Sequence, residues 1–125
     1  MHGLVSLLPQ PYYAQVEALW DELESKFGLR GIRITPYPHF SWQIGEDYHE
    51  ETLVSAMQTL AAETEPLKVH VKGIETFTSQ RPVAFIKVLK DPALARLHER
   101  IWTDFLPITK GASTLYSPPR ISSLP

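Results

Sequence analysis

The sequence predicts an α+β domain in which helices pack on one side of a sheet. Segments with apolar residues at helical spacing are interleaved with short segments of alternating polar and apolar residues, in the order β-α-β-α-β-β-α. Two of the strands follow each other directly, and a hairpin connection of this kind is typical of an α+β sheet. The 125 residues contain no repeat, low-complexity tract or linker, so we expect a single domain over 1–125.

A strand and a helix open the chain. Residues 3–8 suit a short, mostly buried strand that ends at Pro9. Gln10 and Pro11 then begin a helix, because proline is tolerated in the first turn, and Gly28 ends it. The helix is expected to bury the residues at i, i+3, i+4 and i+7 spacing, which are Val16, Leu19, Trp20, Leu23 and Phe27.

An extended segment over residues 31–45 leads to the second helix. Two prolines in its first half suggest a bend ahead of a strand that contains His39. Asp47 and Glu50 have the spacing of a capping box, which predicts that the second helix begins near Tyr48. Its apolar stripe consists of Leu53, Val54, Met57, Leu60 and Ala61.

A hairpin and a third helix are predicted for the second half of the chain. Residues 67–72 alternate and continue as a strand through Phe77, and residues 83–89 form the paired strand. The side chains directed inward from the first of these strands are Leu67, Val69 and Val71. A helix over 92–105 follows, with a core face made of Leu94, Leu97, Ile101 and Phe105. Residues 107–125 contain four prolines and are expected to form a loop with at most one short strand.

The composition excludes several kinds of protein. The chain has no cysteine, which excludes disulfides, thiolate metal sites and thiol nucleophiles. The net charge is −2 and lysine and arginine form no run, which argues against broad coating of nucleic acid but is compatible with a pocket for one or two phosphates. The apolar residues 4–8 are too few to span a bilayer and follow no cationic stretch, so we expect a cytoplasmic protein without a membrane anchor.

The segment 38–44, Pro-His-Phe-Ser-Trp-Gln-Ile, is the strongest candidate for a functional site. Strand alternation places three polar side chains on one face, namely His39, Ser41 and Gln43. The opposite face carries Phe40, Trp42 and Ile44, which we expect in the core, although the two rings could stack on a base together with Tyr37. Imidazole transfers protons near neutral pH and a neighbouring hydroxyl can bind a phosphate oxygen. The polar face is therefore a candidate half-site for acid–base chemistry.

Of the remaining histidines, His49 and His70 are predicted at surface positions and His98 in a structural role, and His2 is assigned only to the region of the first strand. Histidines and carboxylates do not have the spacing of a metal cluster on one helix face. The sequence also contains no glycine-rich phosphate loop and no Gly-x-Ser-x-Gly elbow. We therefore expect neither a metal nor a cofactor.

Several short motifs occur in an order that resembles one known family. Pro38-His39-Phe40-Ser41-Trp42 looks like the first His-x-[Ser/Thr] motif of that family, and Gly73-Ile74-Glu75-Thr76-Phe77 looks like its strand ending in a glycine and a phenylalanine. The strand over 83–89, a helix and Leu115-Tyr116-Ser117-Pro118 follow in the expected order. Over almost its whole length the chain resembles the 2H phosphoesterases, which include bacterial RNA 2′,3′-cyclic phosphodiesterases, also called 2′-5′ RNA ligases.

The resemblance implies two facing lobes, each of which gives one His-x-[Ser/Thr] motif to a central cleft. It also implies that one histidine acts as general base and the other as general acid on a cyclic phosphodiester, without metal, while the two hydroxyl residues bind phosphate oxygens. On this basis His39 and Ser41 are the catalytic candidates. The expected ligand is an RNA end or a small nucleotide with a 2′,3′-cyclic phosphate.

The second motif departs from the family pattern. No histidine follows His98, and the chain reads Pro119-Arg120-Ile121-Ser122 where the motif is expected. Either Arg120 and Ser122 belong to a degenerate motif that binds phosphate, or the chain is truncated or frame-shifted before the motif. Arginine stays protonated and cannot cycle as acid and base. In both cases the site within one chain holds one catalytic histidine, so hydrolysis is expected to be impaired. We favour truncation, with an incomplete second lobe, because family members continue with a further helix and strands.

Two alternatives to an impaired hydrolase remain open. The first is a catalytically inert module that binds phosphate or an RNA end through Ser41 and Arg120, with or without His39. The second is a homodimer in which each chain contributes one His39 to a shared cleft, in place of a monomer.

Overall fold

The computed structural model describes residues 1–34, 37–77 and 83–118. These residues have the mixed helix and strand content of an α+β protein. The helices are α1 (Tyr12–Phe27), α2 (Glu50–Glu63) and α3 (Pro92–Phe105), and the strands are β1 (His2–Leu7), β2 (His39–Gly45), β3 (Asp47–Tyr48), β4 (Val71–Phe77), β5 (Val83–Val88) and β6 (Thr109–Lys110). Short 3₁₀ turns occupy Gly31–Ile34, Leu106–Ile108 and Thr114–Tyr116.

The strands of the described residues form three antiparallel pairs rather than the single sheet that we predicted. β1 pairs with β2, β3 with β6, and β4 with β5. The β4–β5 pair is the predicted hairpin, but β4 begins at Val71 and not at residue 67, so the alternation over 67–70 does not correspond to a strand. Val71 itself is exposed, contrary to its predicted inward direction. The bilobal arrangement implied by the family resemblance remains a prediction.

The β1–β2 pair contains a bulge that changes which side chains share a face. Val5 lies opposite Ser41 and Leu4 lies opposite Gln43, so Trp42 is an extra residue on β2. An extra residue in one strand reverses the alternation beyond it. The face assignments of the sequence analysis therefore hold up to Ser41 and fail after Trp42.

The core lies where α3 and β3 meet β1. Its buried members are Leu4, Tyr48, Ile101 and Phe105, and partly buried side chains that pack against them are Trp42, Leu53, Ala56, Leu60, Leu97 and Ile108. Helix α3 supplies two of the four buried members, Ile101 and Phe105, because its apolar residues recur at helical spacing, as predicted. It begins where the Asp91 side chain accepts a hydrogen bond from the Leu94 amide at 2.9 Å, with Pro92 in the first turn.

Helices α1 and α2 differ from the sequence prediction in several respects, and one is that Val54 and Met57 of the predicted α2 stripe are exposed. Helix α1 ends at Gly28 as predicted, with a left-handed φ of 66°, but Phe27 is 68% exposed and not part of the core. Helix α2 begins at Glu50, and the predicted capping box is wrong because Asp47 and Tyr48 form β3 instead. The peptide groups on either side of β3 are bonded to the β6 segment, through Glu46 N–H to the Lys110 carbonyl at 2.8 Å and His49 N–H to the Ile108 carbonyl at 3.0 Å.

Within the described ranges, no helix combines the length and the apolar character that crossing a bilayer requires.

Candidate active site

The open face of the β1–β2 pair carries the two residues predicted as catalytic. His39 lies opposite Leu7 and Ser41 lies opposite Val5, and residues directly opposite in an antiparallel pair share a face. Leu7 is 57% exposed and Val5 is 42% exposed, so this face is not covered by the described part of the chain. The structure therefore places the imidazole and the hydroxyl together on an accessible surface.

The orientation of His39 is set by the residue that enters β2. Its ring nitrogen Nδ1 lies 2.5 Å from the Tyr37 carbonyl oxygen. Because a carbonyl oxygen only accepts hydrogen bonds, Nδ1 carries the proton and donates it. In the neutral ring the lone pair is then on Nε2, which is the nitrogen that can take up a proton. Pro38, between Tyr37 and His39, is fully buried, and its carbonyl accepts a hydrogen bond from the Leu8 amide at 3.2 Å. Burial and this hydrogen bond fix the backbone where β2 begins.

Gln43 does not belong to this face, contrary to the prediction from alternation. The bulge at Trp42 turns Gln43 toward the core, where its side chain is fully buried. Its Oε1 accepts hydrogen bonds from the hydroxyls of Tyr48 at 3.1 Å and Thr109 at 3.0 Å. Gln43 is thus a structural residue that joins β2 to β3 and β6.

The same bulge places Ile44 opposite Gly3, on the face of His39 and Ser41 and not with Phe40 in the predicted apolar set. Trp42 keeps its predicted position on the core side, because its indole N–H donates to the Ser6 hydroxyl at 2.7 Å and Ser6 lies opposite Phe40.

A cleft of about 230 Å³ lies beside β2. Its lining comes from β2, the end of β5, helix α3 and the turn Thr114–Tyr116, and consists of Phe40, Ser41, Trp42, Val88, Lys90, Leu94, Ala95, His98, Tyr116 and Ser117. Ser41 therefore borders both the open face and the cleft, whereas His39 is not part of the cleft lining.

His98 connects the walls of the cleft. Its Nε2 lies 2.9 Å from the Trp42 carbonyl and 2.8 Å from the Tyr116 carbonyl, so this nitrogen carries a hydrogen that the two carbonyls share as acceptors. Burial lowers the pKa of His98 below its ordinary value, and the nearby charge of Lys90 lowers it further, while the two backbone hydrogen bonds act in the opposite direction. The ring is consequently held neutral and fixes the distance between β2 and the turn Thr114–Tyr116. This agrees with the structural role predicted for it.

The second predicted motif lies outside the described residues. This applies to both Arg120 and Ser122, so their relation to His39 is not part of the structure. His49 and His70 are exposed as predicted, His2 is exposed as well, and all three lie outside both the cleft lining and the open face. Among residues 1–34, 37–77 and 83–118, no three histidine, aspartate or glutamate side chains are grouped as metal ligands would be.

Sequence reasoning did not identify the cleft. Its aromatic residues Phe40 and Trp42 were assigned to the core, and only the spacing of His98 four residues after Leu94 hinted that the imidazole lies beside the apolar stripe of α3. Lys90 gave no sequence signal, and Tyr116 was noted only as part of a family-like motif, because both enter the cleft from segments that are distant along the chain.

A model of the 2′-5′ RNA ligase superfamily matches residues 9–116. The chain belongs to this superfamily. The matched range includes His39 and Ser41, and it extends to Tyr116 at the far wall of the cleft. It confirms the resemblance derived from the order of the motifs. Comparisons with curated proteins and with solved structures gave no match.

Membership in the 2′-5′ RNA ligase superfamily points to RNA or a nucleotide as the class of substrate. The motif-like segment 38–42 lies inside the matched range. The geometry supplies one oriented imidazole and one hydroxyl there.

Proposed function

We propose that this member of the 2′-5′ RNA ligase superfamily hydrolyses a 2′,3′-cyclic phosphate on an RNA end or a small nucleotide. The observation that carries the proposal is the position of His39 and Ser41 on one accessible face of β2, with the Tyr37 carbonyl holding Nδ1 so that Nε2 is the basic nitrogen. His39 transfers the proton and Ser41 binds a phosphate oxygen.

The proposed step is a displacement at phosphorus by water. Nε2 of His39 takes a proton from the water as its oxygen forms a bond to phosphorus, and one of the two ribose ester bonds to phosphorus breaks. The ribose oxygen that leaves must gain a proton, and the Ser41 hydroxyl donates a hydrogen bond to a non-bridging phosphate oxygen on which negative charge increases. No metal has a role in this scheme.

The rate is expected to be low, because β1 and β2 place one histidine on this face and not two. A solvent water has to supply the proton to the leaving oxygen in place of a second imidazole. Losing one positioned acid or base typically lowers the rate by about 10²–10⁴-fold. Arg120 and Ser122 are proposed as additional phosphate ligands on the basis of their position in the sequence.

The test is hydrolysis of 2′,3′-cyclic AMP by the purified chain and by His39→Ala. The matched control is His70→Ala, since His70 is an exposed histidine outside the β1–β2 face. We expect turnover that is lost in His39→Ala and unchanged in His70→Ala. Equal turnover by the wild type and His39→Ala would exclude His39 as the catalytic residue.

A second candidate function is a binding module without turnover, favoured by the single imidazole on the open face. It predicts that the folded protein binds 2′,3′-cyclic AMP but produces no phosphomonoester at any protein concentration. A homodimer with a shared cleft predicts instead that turnover per chain rises with concentration and that the rise disappears in His39→Ala.

A further inference from the structure

Trp42, the extra residue of the bulge in β2, is held by two hydrogen bonds that are not part of the strand ladder. Its indole N–H donates to the Ser6 hydroxyl at 2.7 Å, and its carbonyl accepts from Nε2 of His98 at 2.9 Å. The extra residue of a bulge is left out of the regular pairing, so its peptide groups need partners elsewhere. The imidazole of His98, in helix α3, supplies one of these partners.

The position of the bulge determines which side chain lies next to His39 on the open face. With Trp42 as the extra residue, Ser41 lies alone opposite Val5 and Trp42 is on the core side. If the bulge moved back by one residue, Ser41 and Trp42 would both lie opposite Val5. The indole would then turn onto the open face and occupy the space beside the Ser41 hydroxyl.

The support that His98 gives to β2 is itself rigid. Helix α3 is anchored in the core by Ile101 and Phe105, and the His98 ring packs edge to face against the Trp42 ring at a centroid distance of 5.9 Å. Nε2 of His98 also lies 2.8 Å from the Tyr116 carbonyl, at the end of the turn Thr114–Tyr116. A side chain that is fixed in this way can hold a neighbouring site in one geometry.

The same turn is bonded to β2 beyond the bulge, where the Ile44 carbonyl accepts from the Ser113 amide at 2.8 Å. The backbone of β2 is therefore tied to segments outside the β1–β2 pair at two carbonyls, those of Trp42 and Ile44. The contact from His98 is the one nearer to Ser41. A loss of its N–H would leave the Trp42 carbonyl without this donor and remove one of the restraints on the bulge.

We infer that His98 is the positioning residue of Ser41. By donating its Nε2 hydrogen to the Trp42 carbonyl it keeps the bulge at Trp42, so that the Ser41 hydroxyl can reach a phosphate on the open face and the indole stays away from it. The effect on hydrolysis rests on the proposed function, whereas the effect on phosphate contact requires only that Ser41 binds the ligand.

Three substitutions separate the hydrogen bond of His98 from its bulk. His98→Phe keeps a ring that can pack against the indole but has no N–H, whereas His98→Gln has no ring but retains an amide that can donate to both carbonyls. His98→Met is a second variant without a donor, because a flexible methionine fills irregular space. The matched control is Leu53→Ala, which removes core packing from helix α2, outside the β1–β2 pair.

The experiment measures kcat and KM for 2′,3′-cyclic AMP, with nitrogen–proton correlation spectra to show that each variant is folded. We expect kcat/KM to fall about tenfold in His98→Phe and His98→Met and to stay within about threefold of the wild type in His98→Gln and Leu53→Ala, because small displacements of a positioned group lower rates strongly. In the Ser41→Ala background His98→Phe should cause no further loss. This double-mutant cycle separates positioning from general stabilisation, since independent effects add.

The positioning role and the proposed activity fail separately in this design. Turnover that requires His39 but is equal in the wild type and folded His98→Phe supports the activity and overturns the positioning role. A loss in His98→Phe that is just as large in the Ser41→Ala background overturns it as well.

If the wild type does not hydrolyse 2′,3′-cyclic AMP, the proposed activity fails and the dissociation constant of the same ligand, obtained from the correlation spectra, decides the role of His98. Weaker binding by His98→Phe than by His98→Gln, with no difference in the Ser41→Ala background, supports the positioning role. Equal binding by both variants, or no binding by the wild type, overturns it.

Discussion

Gln43 offers the most direct test of how the bulge in β2 is stabilised, and we predict that Gln43→Leu changes the free energy of unfolding by less than about 1 kcal/mol. The side chain is fully buried and its Oε1 accepts two hydrogen bonds, from Tyr48 and Thr109. Its Nε2, in contrast, has no hydrogen-bond partner among the described residues. Leucine has nearly the same volume and neither polar atom.

The magnitude follows from two opposing effects. Loss of the two hydrogen bonds lowers stability by about 2 kcal/mol, at about 1 kcal/mol for each. The Thr109 hydroxyl is not left unpaired, because its single hydrogen can be donated to the Phe105 carbonyl, which lies 2.5 Å away, and the Tyr48 hydroxyl lies 3.5 Å from the Gln43 carbonyl, which the substitution keeps. Removal of the unpaired buried amide nitrogen restores about 1–3 kcal/mol. The two effects nearly cancel.

The assay is urea unfolding of the wild type, Gln43→Leu and Gln43→Ala, followed by tryptophan fluorescence. Gln43→Ala also loses the packing of the long side chain, so we expect its free energy of unfolding to fall by about 2–5 kcal/mol. A loss of more than about 3 kcal/mol in Gln43→Leu would refute the reasoning, since it would mean that the amide nitrogen is bonded in the folded protein.

Three further predictions concern stability. Phe105→Ala should lower the free energy of unfolding by about 3–5 kcal/mol, because Phe105 is 1% exposed. Phe27→Ala should change it by less than about 1 kcal/mol. Urea titration of both variants checks the contrast. Ser6→Ala should lower it by about 1 kcal/mol by removing the acceptor of the Trp42 indole, measured in the same titration. Burial lowers the pKa of His98, so this histidine binds fewer protons in the folded protein than in the unfolded chain. The stability that comes from the neutral imidazole is complete above the ordinary pKa of 6.5 and is lost as the pH falls through the lowered pKa. The fall in stability from about pH 7.5 to about pH 5 should therefore be smaller in His98→Gln, and an equal fall in both proteins would contradict the assignment.

The sequence was sufficient for elements whose pattern is local. Helix α3 was predicted with its observed bounds and core face, because its stripe at helical spacing is visible within one segment. Positions 39 and 41 were placed correctly for a similar reason, since alternation needs only that the segment is a strand. The family resemblance also depended on local motifs and their order.

The errors occur where pairing with a distant segment determines the structure. The capping box at Asp47 and Glu50 has the right spacing, but the peptide groups around Asp47 pair with residues near Lys110. Hydrogen bonds in a strand pair occupy the backbone that a helix start would need, so the helix begins later, at Glu50. The Phe27 side chain follows the apolar stripe of α1, yet the described residues place nothing over it. Neither outcome can be read from the segment alone.

The bulge in β2 lies within a strand that local alternation predicts, but pairing with a distant strand determines it. The candidate site could therefore be predicted only in part. It arises from the register with Leu4 and Val5, which lie in another strand, and therefore leaves no mark in the segment 38–44. Without it, Gln43 would share the face of His39 and Ser41, and Trp42 would be separated from the Gln43 network by the thickness of the sheet. With it, Trp42 and Gln43 both lie on the core side, where one holds the wall of the cleft and the other joins β2 to β3. The bulge leaves Trp42 on its predicted side and exchanges the faces of Gln43 and Ile44, so it determines which residues accompany His39 and Ser41 on the open face.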